Sequence, residues 1–197
     1  VYYQDRDAGF YDFDVVTKKA LAFYSDAVGP FPYEKLANIQ SNSVSGGMEA
    51  ASAILYSENS VSGDRSVRWR NVVIHEIAHQ WFGNNITFGS WTDIWLSEGM
   101  AEYLSGLAVE ALRPAAWNGV KTSKINSITS EPGGSVYVTD TIDLSVIFDG
   151  RLTYNKGFYL AHMLRWVVGD SLFFQACRNY LEEHNEGFAR TSDFQEH

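Results

Sequence analysis

A chain of 197 residues, 45% hydrophobic and 15% aromatic, is long enough to bury a substantial core. Its net charge of −9 argues against nucleic acid or an anionic membrane as a partner, because both recruit basic surface. The sequence has no apolar run of membrane-spanning length and no recognisable signal-peptide pattern, and its single cysteine, Cys177, excludes an intrachain disulfide.

Taken in order, residues 1–14 are polar and aromatic without a period and are expected to be irregular. Residues 14–28 form a helix with an apolar stripe through Ala20, Phe23, Tyr24 and Ala27, stopped by Gly29 and Pro30. Residues 35–42 alternate and suit a strand. Residues 44–57 start with Gly46 and Gly47, where a backbone can approach closely, and 48–56 are expected to continue as an edge strand. On those residues alone the stretch is a glycine hairpin or bulge. After a loop at 58–63, Asp64 is expected to cap a long helix over 65–82, ended by Gly83-Asn84-Asn85. Residues 86–88 are a short extended connector. Thr92 or Asp93 begins a second helix that runs to Leu112, before Pro114. Further helices are expected over 115–128, 154–168 and 170–183, with an irregular stretch between the first two. At the end, Ser192 as N-cap and Gln195 at the third helical position suit a capping box. Strands first and then a run of helices indicate an α+β fold.

The chemistry is concentrated in residues 72–102. His75 and His79 are four positions apart on the long helix, so they lie about 40° apart around its axis and one turn up, facing one point. Glu76, on the flank of that face, is placed to hold a water beside a bound metal. After eighteen intervening residues comes Glu98, whose carboxylate on the second helix would complete a His75, His79, Glu98 triad. Three protein ligands leave the fourth position of a zinc ion open for water, as a catalytic site requires. Glu102, one turn beyond Glu98, either orients a histidine or is an ordinary structural carboxylate.

H-E-x-x-H with its distant glutamate, preceded by Gly46-Gly47-Met48-Glu49 and followed by Tyr154-Asn155-Lys156-Gly157, resembles the M1 family of gluzincin aminopeptidases. The resemblance covers most of the chain, from about residue 15 onward. It implies a thermolysin-like catalytic domain over 1–197, a small mixed sheet followed by a helical lobe, holding one zinc ion between two central helices. It implies that Gly46, Gly47, Met48 and Glu49 line the substrate, with Glu49 pairing the free α-amino group of a peptide. Glu76 would be the general base, and Tyr154 the hydroxyl that steadies the oxyanion.

Position 50 departs from the family loop, which usually ends in asparagine: Ala50 cannot supply the amide's hydrogen bonds. The first residue, Val1, and the helix start near the end suggest a fragment of a longer protein. Family members carry a β-rich domain before this region and a helical domain after it, and both help close the cavity. The expected activity is removal of N-terminal residues from peptides. The alternatives are a catalytically weak peptide-binding scaffold, or a zinc hydrolase of another specificity, endopeptidase or epoxide hydrolase. His162, among apolar neighbours, is expected to be a packed histidine, His184 and His197 have no supporting context, and Cys177 is expected to be a buried hydrophobe. Localisation, oligomeric state and side-chain preference stay open.

Overall fold

The computed structural model describes residues 6–197. A short helix α1 (Arg6–Gly9) and a π-helical turn (Phe10–Asp14) lead without interruption into α2 (Val15–Val28). There Ala20, Tyr24 and Val28 face inward, and Gly29, at φ 121°, breaks the helix. Strand β1 (Ala37–Ser41) runs parallel to β3 (Ala53–Ser57), and β2 (Gly47–Met48) pairs antiparallel with β3, giving the order β1-β3-β2. Beneath this sheet lies α3 (Val67–Ala78). After β4 (Ile86–Phe88) come α4 (Trp95–Leu112) and α5 (Pro114–Ile128), the latter opened by proline at the position where a missing N–H costs nothing. The one-turn helix α6 (Leu144–Ile147) and a second π-helical turn (Gly150–Lys156) precede α7 (Gly157–Val168) and α8 (Asp170–Glu183). Strand β5 (Gly187–Ala189) pairs parallel with β4, and α9 (Thr191–Phe194) follows.

Helix α4 is the axis of the molecule. Nearly every residue from Trp95 to Val109 is buried, the pattern of a helix wrapped on all sides. It packs against α3, α5 and α7. At Gly99 the approach is closest: a Cβ there would lie 2.8 Å from the Cα of Gly157, and a Cβ on Gly157 would lie 2.8 Å from the Cα of Gly99. This pair of glycines sets how near Glu98 comes to the turn that carries Tyr154. Around α4 the core is aromatic, with Tyr24, Trp81, Tyr103, Phe158, Phe173 and Tyr180 buried. The Tyr24 hydroxyl donates to the Ile74 carbonyl (3.0 Å) and the Trp81 indole N–H to the Gly29 carbonyl (2.9 Å), so burial leaves these polar tips satisfied. Among the described residues no helix is long and apolar enough to cross a membrane.

The α+β class and the order of the major elements match the expectation; several boundaries do not. Residues 6–14 are helical rather than irregular, held by the fully buried Phe13 against Tyr56 and by the Asp12 carboxylate, which accepts from the N–H groups of Ser62 and Gly63. Residues 1–5 of that expectation lie outside the described residues. Residues 48–56 are not one edge strand: the chain turns through 49–52 with Ser52 at φ 60°, which makes β2 the edge and β3 the central strand. Helix α3 starts at Val67, because Ser66 caps it by accepting from the Trp69 N–H, while Asp64 accepts from the Ser66 N–H. It stops at Ala78; 79–81 form a turn and Phe82 makes an isolated bridge to Ile86. The second helix begins at Trp95, since Asp93 accepts from the Thr191 hydroxyl (2.6 Å) instead of capping. Tyr154 lies in the π-helical turn before α7, and in the last turn Asp193 accepts from the Arg190 N–H, in place of the Ser192–Gln195 box.

Candidate active site

Helix α3 and the start of α4 bring three donor atoms together. Nε2 of His75 and Nε2 of His79 are 3.0 Å apart, and Oε2 of Glu98 is 3.3 Å from the first and 3.2 Å from the second. All three side chains are buried or nearly so. His79 reaches this point as the residue closing α3, so its ring is fixed both by the helix before it and by the turn after it.

The other nitrogen of each ring determines what these atoms present. Nδ1 of His79 is 3.1 Å from the Phe82 carbonyl oxygen, which can only accept, so that nitrogen carries the hydrogen; Ser97 Oγ lies at 3.1 Å as well. Nδ1 of His75 is 2.8 Å from Oε2 of Glu102, another acceptor. In the neutral form that a metal requires, both rings would therefore turn bare Nε2 lone pairs toward Glu98. Three lone pairs at this spacing repel unless a cation lies among them. A tetrahedral zinc with bonds of about 2.0–2.1 Å separates its donors by about 3.3–3.4 Å, so the donor set and the triangle suit the ion. The carboxylates leave their mark on the titration of the rings. Burial pushes the His75 pKa down, but the contacts with Glu102 and Glu98 reverse this and hold it well above the ordinary imidazole value. Glu102, despite burial, is held down at about 2 by His75 and Lys124.

Glu76 flanks the triangle on the same helix. Burial raises its pKa, the two histidines pull it back, and Glu49 and Glu98 raise it further, for a net upward shift. Its carboxylate lies directly under Gly47: a Cβ on Gly47 would come within 2.2 Å of Oε1 and 2.4 Å of Cγ. The absent side chain at Gly47 thus leaves room for Glu76, whereas Gly46 faces open space.

A cleft of about 890 Å³ opens over these groups, lined by Gly47, Met48 and Glu49 on one side and by Glu98, Glu102 and Tyr154 on the other. The Tyr154 ring lies over His75 (centroids 6.1 Å apart), and burial followed by the neighbouring Glu98, Glu76 and Glu49 charges keeps its phenol protonated. The sheet-side wall is tied to the histidine helix by residues that no motif singles out. Gln80, fully buried, accepts from the Ser52 N–H (2.8 Å) and donates to the Glu49 carbonyl (3.0 Å), to which Asn84 also donates. The turn after Glu49 is thus secured through its backbone, and Ala50 points to solvent. Gln80 and Asn84 follow the H-E-x-x-H motif, so their proximity to it was the one available signal; for Gly47 the glycine pair announced a close approach but not that Glu76 is what it meets.

The remaining candidates lie apart. His162 packs among Trp117, Phe158 and Tyr159 with Nδ1 3.3 Å from the Tyr103 hydroxyl, the packed histidine that was expected. His184 and His197 gather with Glu183 at the surface beside Tyr180, with 3.6 Å between His197 and Glu183. Cys177 is buried on α8 and burial pushes its thiol up to about 12, leaving it inert.

Residues 11–197 match the sequence model of the Peptidase family M1 domain. Aminopeptidase M1-B of Oryza sativa is 30% identical over 94% of the chain, and aminopeptidase N of Lactococcus lactis is 34% identical over 66% of it. The chain spans 23% and 16% of the lengths of these relatives. Among solved structures, the M1 zinc metallopeptidase of Deinococcus radiodurans superposes with a TM-score of 0.77 at 28% identity, over 90% of this chain and 38% of that one. A variant of it has been solved bound to a Tyr-Ser-Ala substrate. The leukotriene A4 hydrolase of Saccharomyces cerevisiae, 23% identical over 96% of this chain and 32% of its own, shares the fold with a TM-score of 0.80.

Proposed function

The chain belongs to peptidase family M1, and from that premise we propose that it is the catalytic part of a zinc-dependent aminopeptidase acting on peptides with a free N-terminus. The observation that carries this reading is the convergence of His75, His79 and Glu98 within 3.3 Å of one another, with Glu76 alongside. His75, His79 and Glu98 would hold the ion, and a zinc bound there would supply Lewis acidity and lower the pKa of a water molecule toward neutrality. Glu76 accepts the proton of that water and delivers it to the departing amine nitrogen; its raised pKa brings it nearer to the working pH of a group that must both take and give a proton. Tyr154 donates its hydroxyl hydrogen to the carbonyl oxygen as negative charge develops there. Glu49 accepts the α-ammonium, which limits cleavage to the first peptide bond. The outer edge of β2 lets an extended peptide add as a further strand beside Gly46, Gly47 and Met48. Glu102 orients His75.

The test pairs metal content with turnover. Wild-type protein prepared without chelator is expected to hold close to one zinc per chain, and His79→Ala little. Wild type is expected to cleave free but not N-acetylated peptides, and Glu76→Gln to keep zinc and lose turnover. Substantial residual activity in Glu76→Gln would remove it as the base. Peptide binding without cleavage by zinc-loaded wild type would favour a scaffold, and cleavage of blocked peptides at internal bonds an endopeptidase.

A further inference from the structure

Beyond these groups one side chain joins both halves of the site. Lys124 projects from α5, which packs against α4 and against the π-helical turn. Its ammonium, on a largely buried side chain, is bonded to Oε1 of Glu102, whose other oxygen faces Nδ1 of His75. The same ammonium donates to Oδ1 of Asn155 (3.0 Å), the residue next to Tyr154, and the Asn155 amide donates in turn to Ser127 Oγ (3.0 Å) on α5. The ammonium also lies over the face of the Phe158 ring, with Nζ 5.1 Å from the centroid. A continuous path therefore runs from His75 through Glu102 and Lys124 to the backbone that carries Tyr154.

We propose that Lys124 is a positioning residue, whose ammonium holds the carboxylate that orients His75 and the turn that carries Tyr154 in one fixed relation. The inference rests on the aminopeptidase reading above. A lysine suits the task for a physical reason: two of its three donors are used by acceptors on different elements, so neither can shift without losing a charge-assisted bond. Nothing in the H-E-x-x-H spacing requires it, since Lys124 comes from a helix that contributes no ligand.

The experiment compares Lys124→Met, Lys124→Arg, Glu102→Gln and Asn155→Ala in the full chain. Zinc affinity is read by competition with a chromophoric chelator, and kcat and KM separately on a free aminoacyl substrate. Groups that orient a metal ligand change affinity by about 10–100-fold when lost. Lys124→Met is expected to weaken zinc retention by about 10-fold and, in protein kept saturated with zinc, to lower kcat with KM little changed. Asn155→Ala is expected to lower kcat alone, Glu102→Gln to weaken zinc, and Lys124→Arg to restore most of both, since it keeps the charge and the multiple donors. A rise in KM alone for Lys124→Met would make Lys124 a substrate contact and overturn the proposal. So would wild-type zinc affinity and kcat in that variant. If wild type binds zinc but cleaves nothing, the aminopeptidase reading has failed instead, and zinc affinity of the variants still reports on the Glu102 half; if wild type binds no zinc, both readings fall. Unfolding midpoints of all four, measured without metal, separate loss of fold from loss of position.

Discussion

Replacing Gly47 by alanine probes the position of Glu76 through a neighbour that carries no reacting group. The new methyl would lie 2.2–2.4 Å from the Glu76 carboxylate and Cγ. Favourable carbon contacts begin near 3.5 Å, so the carboxylate must retreat by about 1 Å. A misplacement of about 1 Å in a reacting group costs on the order of 100-fold in rate, or about 2.7 kcal/mol of transition-state stabilisation. Glu76 is buried between β2 and the histidines and has little space to rotate away and return. Backbone strain is not involved, since Gly47 is not at positive φ. The assay is kcat/KM on an aminoacyl chromogenic substrate, with zinc content and the thermal midpoint measured on the same sample. A loss of about two orders of magnitude with zinc and fold retained is expected on those grounds. Unchanged turnover with zinc bound would refute the argument that this glycine sets the position of Glu76, the proposed base.

The metal and the protons compete for the same rings. In metal-free protein the raised His75 pKa means that its pairing with Glu102 and Glu98 stabilises the fold fully below about 6.5, the ordinary histidine value, and is lost as pH rises through the raised one. Zinc requires the deprotonated ring, so the rise in melting temperature on adding zinc should grow between pH 5 and pH 8; a constant or shrinking increment would contradict the assigned ligands. The Glu102 carboxylate, with its pKa lowered to about 2, contributes stability that is present above the ordinary glutamate value and lost only as pH falls toward 2, so metal-free protein should be most stable in mildly acid solution. Gly99→Ala sets a methyl 2.8 Å from the Gly157 backbone and should cost about 1–3 kcal/mol in urea unfolding; no change would mean the two segments can part freely. His162→Phe should leave zinc content unchanged and shift stability by less than about 1.5 kcal/mol, and loss of zinc would reinstate His162 as a ligand candidate.

How much of this was legible follows from how local each signal is. The positions of His75, Glu76 and His79 are fixed by helical periodicity, and α4 announced itself by its length and apolar weight. Glu98 needed one further assumption, that the two helices pack together. Residues 6–14 were hidden because a π-helical turn shifts the period within nine residues. The break between β2 and β3 depends on positive φ at Ser52, which residue type does not disclose. Asp93 looked like a cap because its true partner, Thr191, is 98 positions away. Lys124 and Asn155 are likewise placed by tertiary contact, 22 and 31 positions from the groups they bond or share, and no motif spans such gaps.

The parallel pairing of β4 with β5, reinforced by Thr191 on Asp93 and by the Trp95 indole donating to Thr191 (2.9 Å), has a consequence for how the molecule comes into being. The connector between the helix with the two histidines and the helix with Glu98 is clamped by residues made 98 positions later. Contacts of such long sequence separation form late, because their loop must close before they contribute. At ribosomal rates of about 5–20 residues per second, α3 and α4 exist for several seconds before the clamp is available. A nascent chain should therefore acquire its highest metal affinity only after β5 and α9 have emerged, which makes the C-terminal segment the last part of the frame around the two helices to be set.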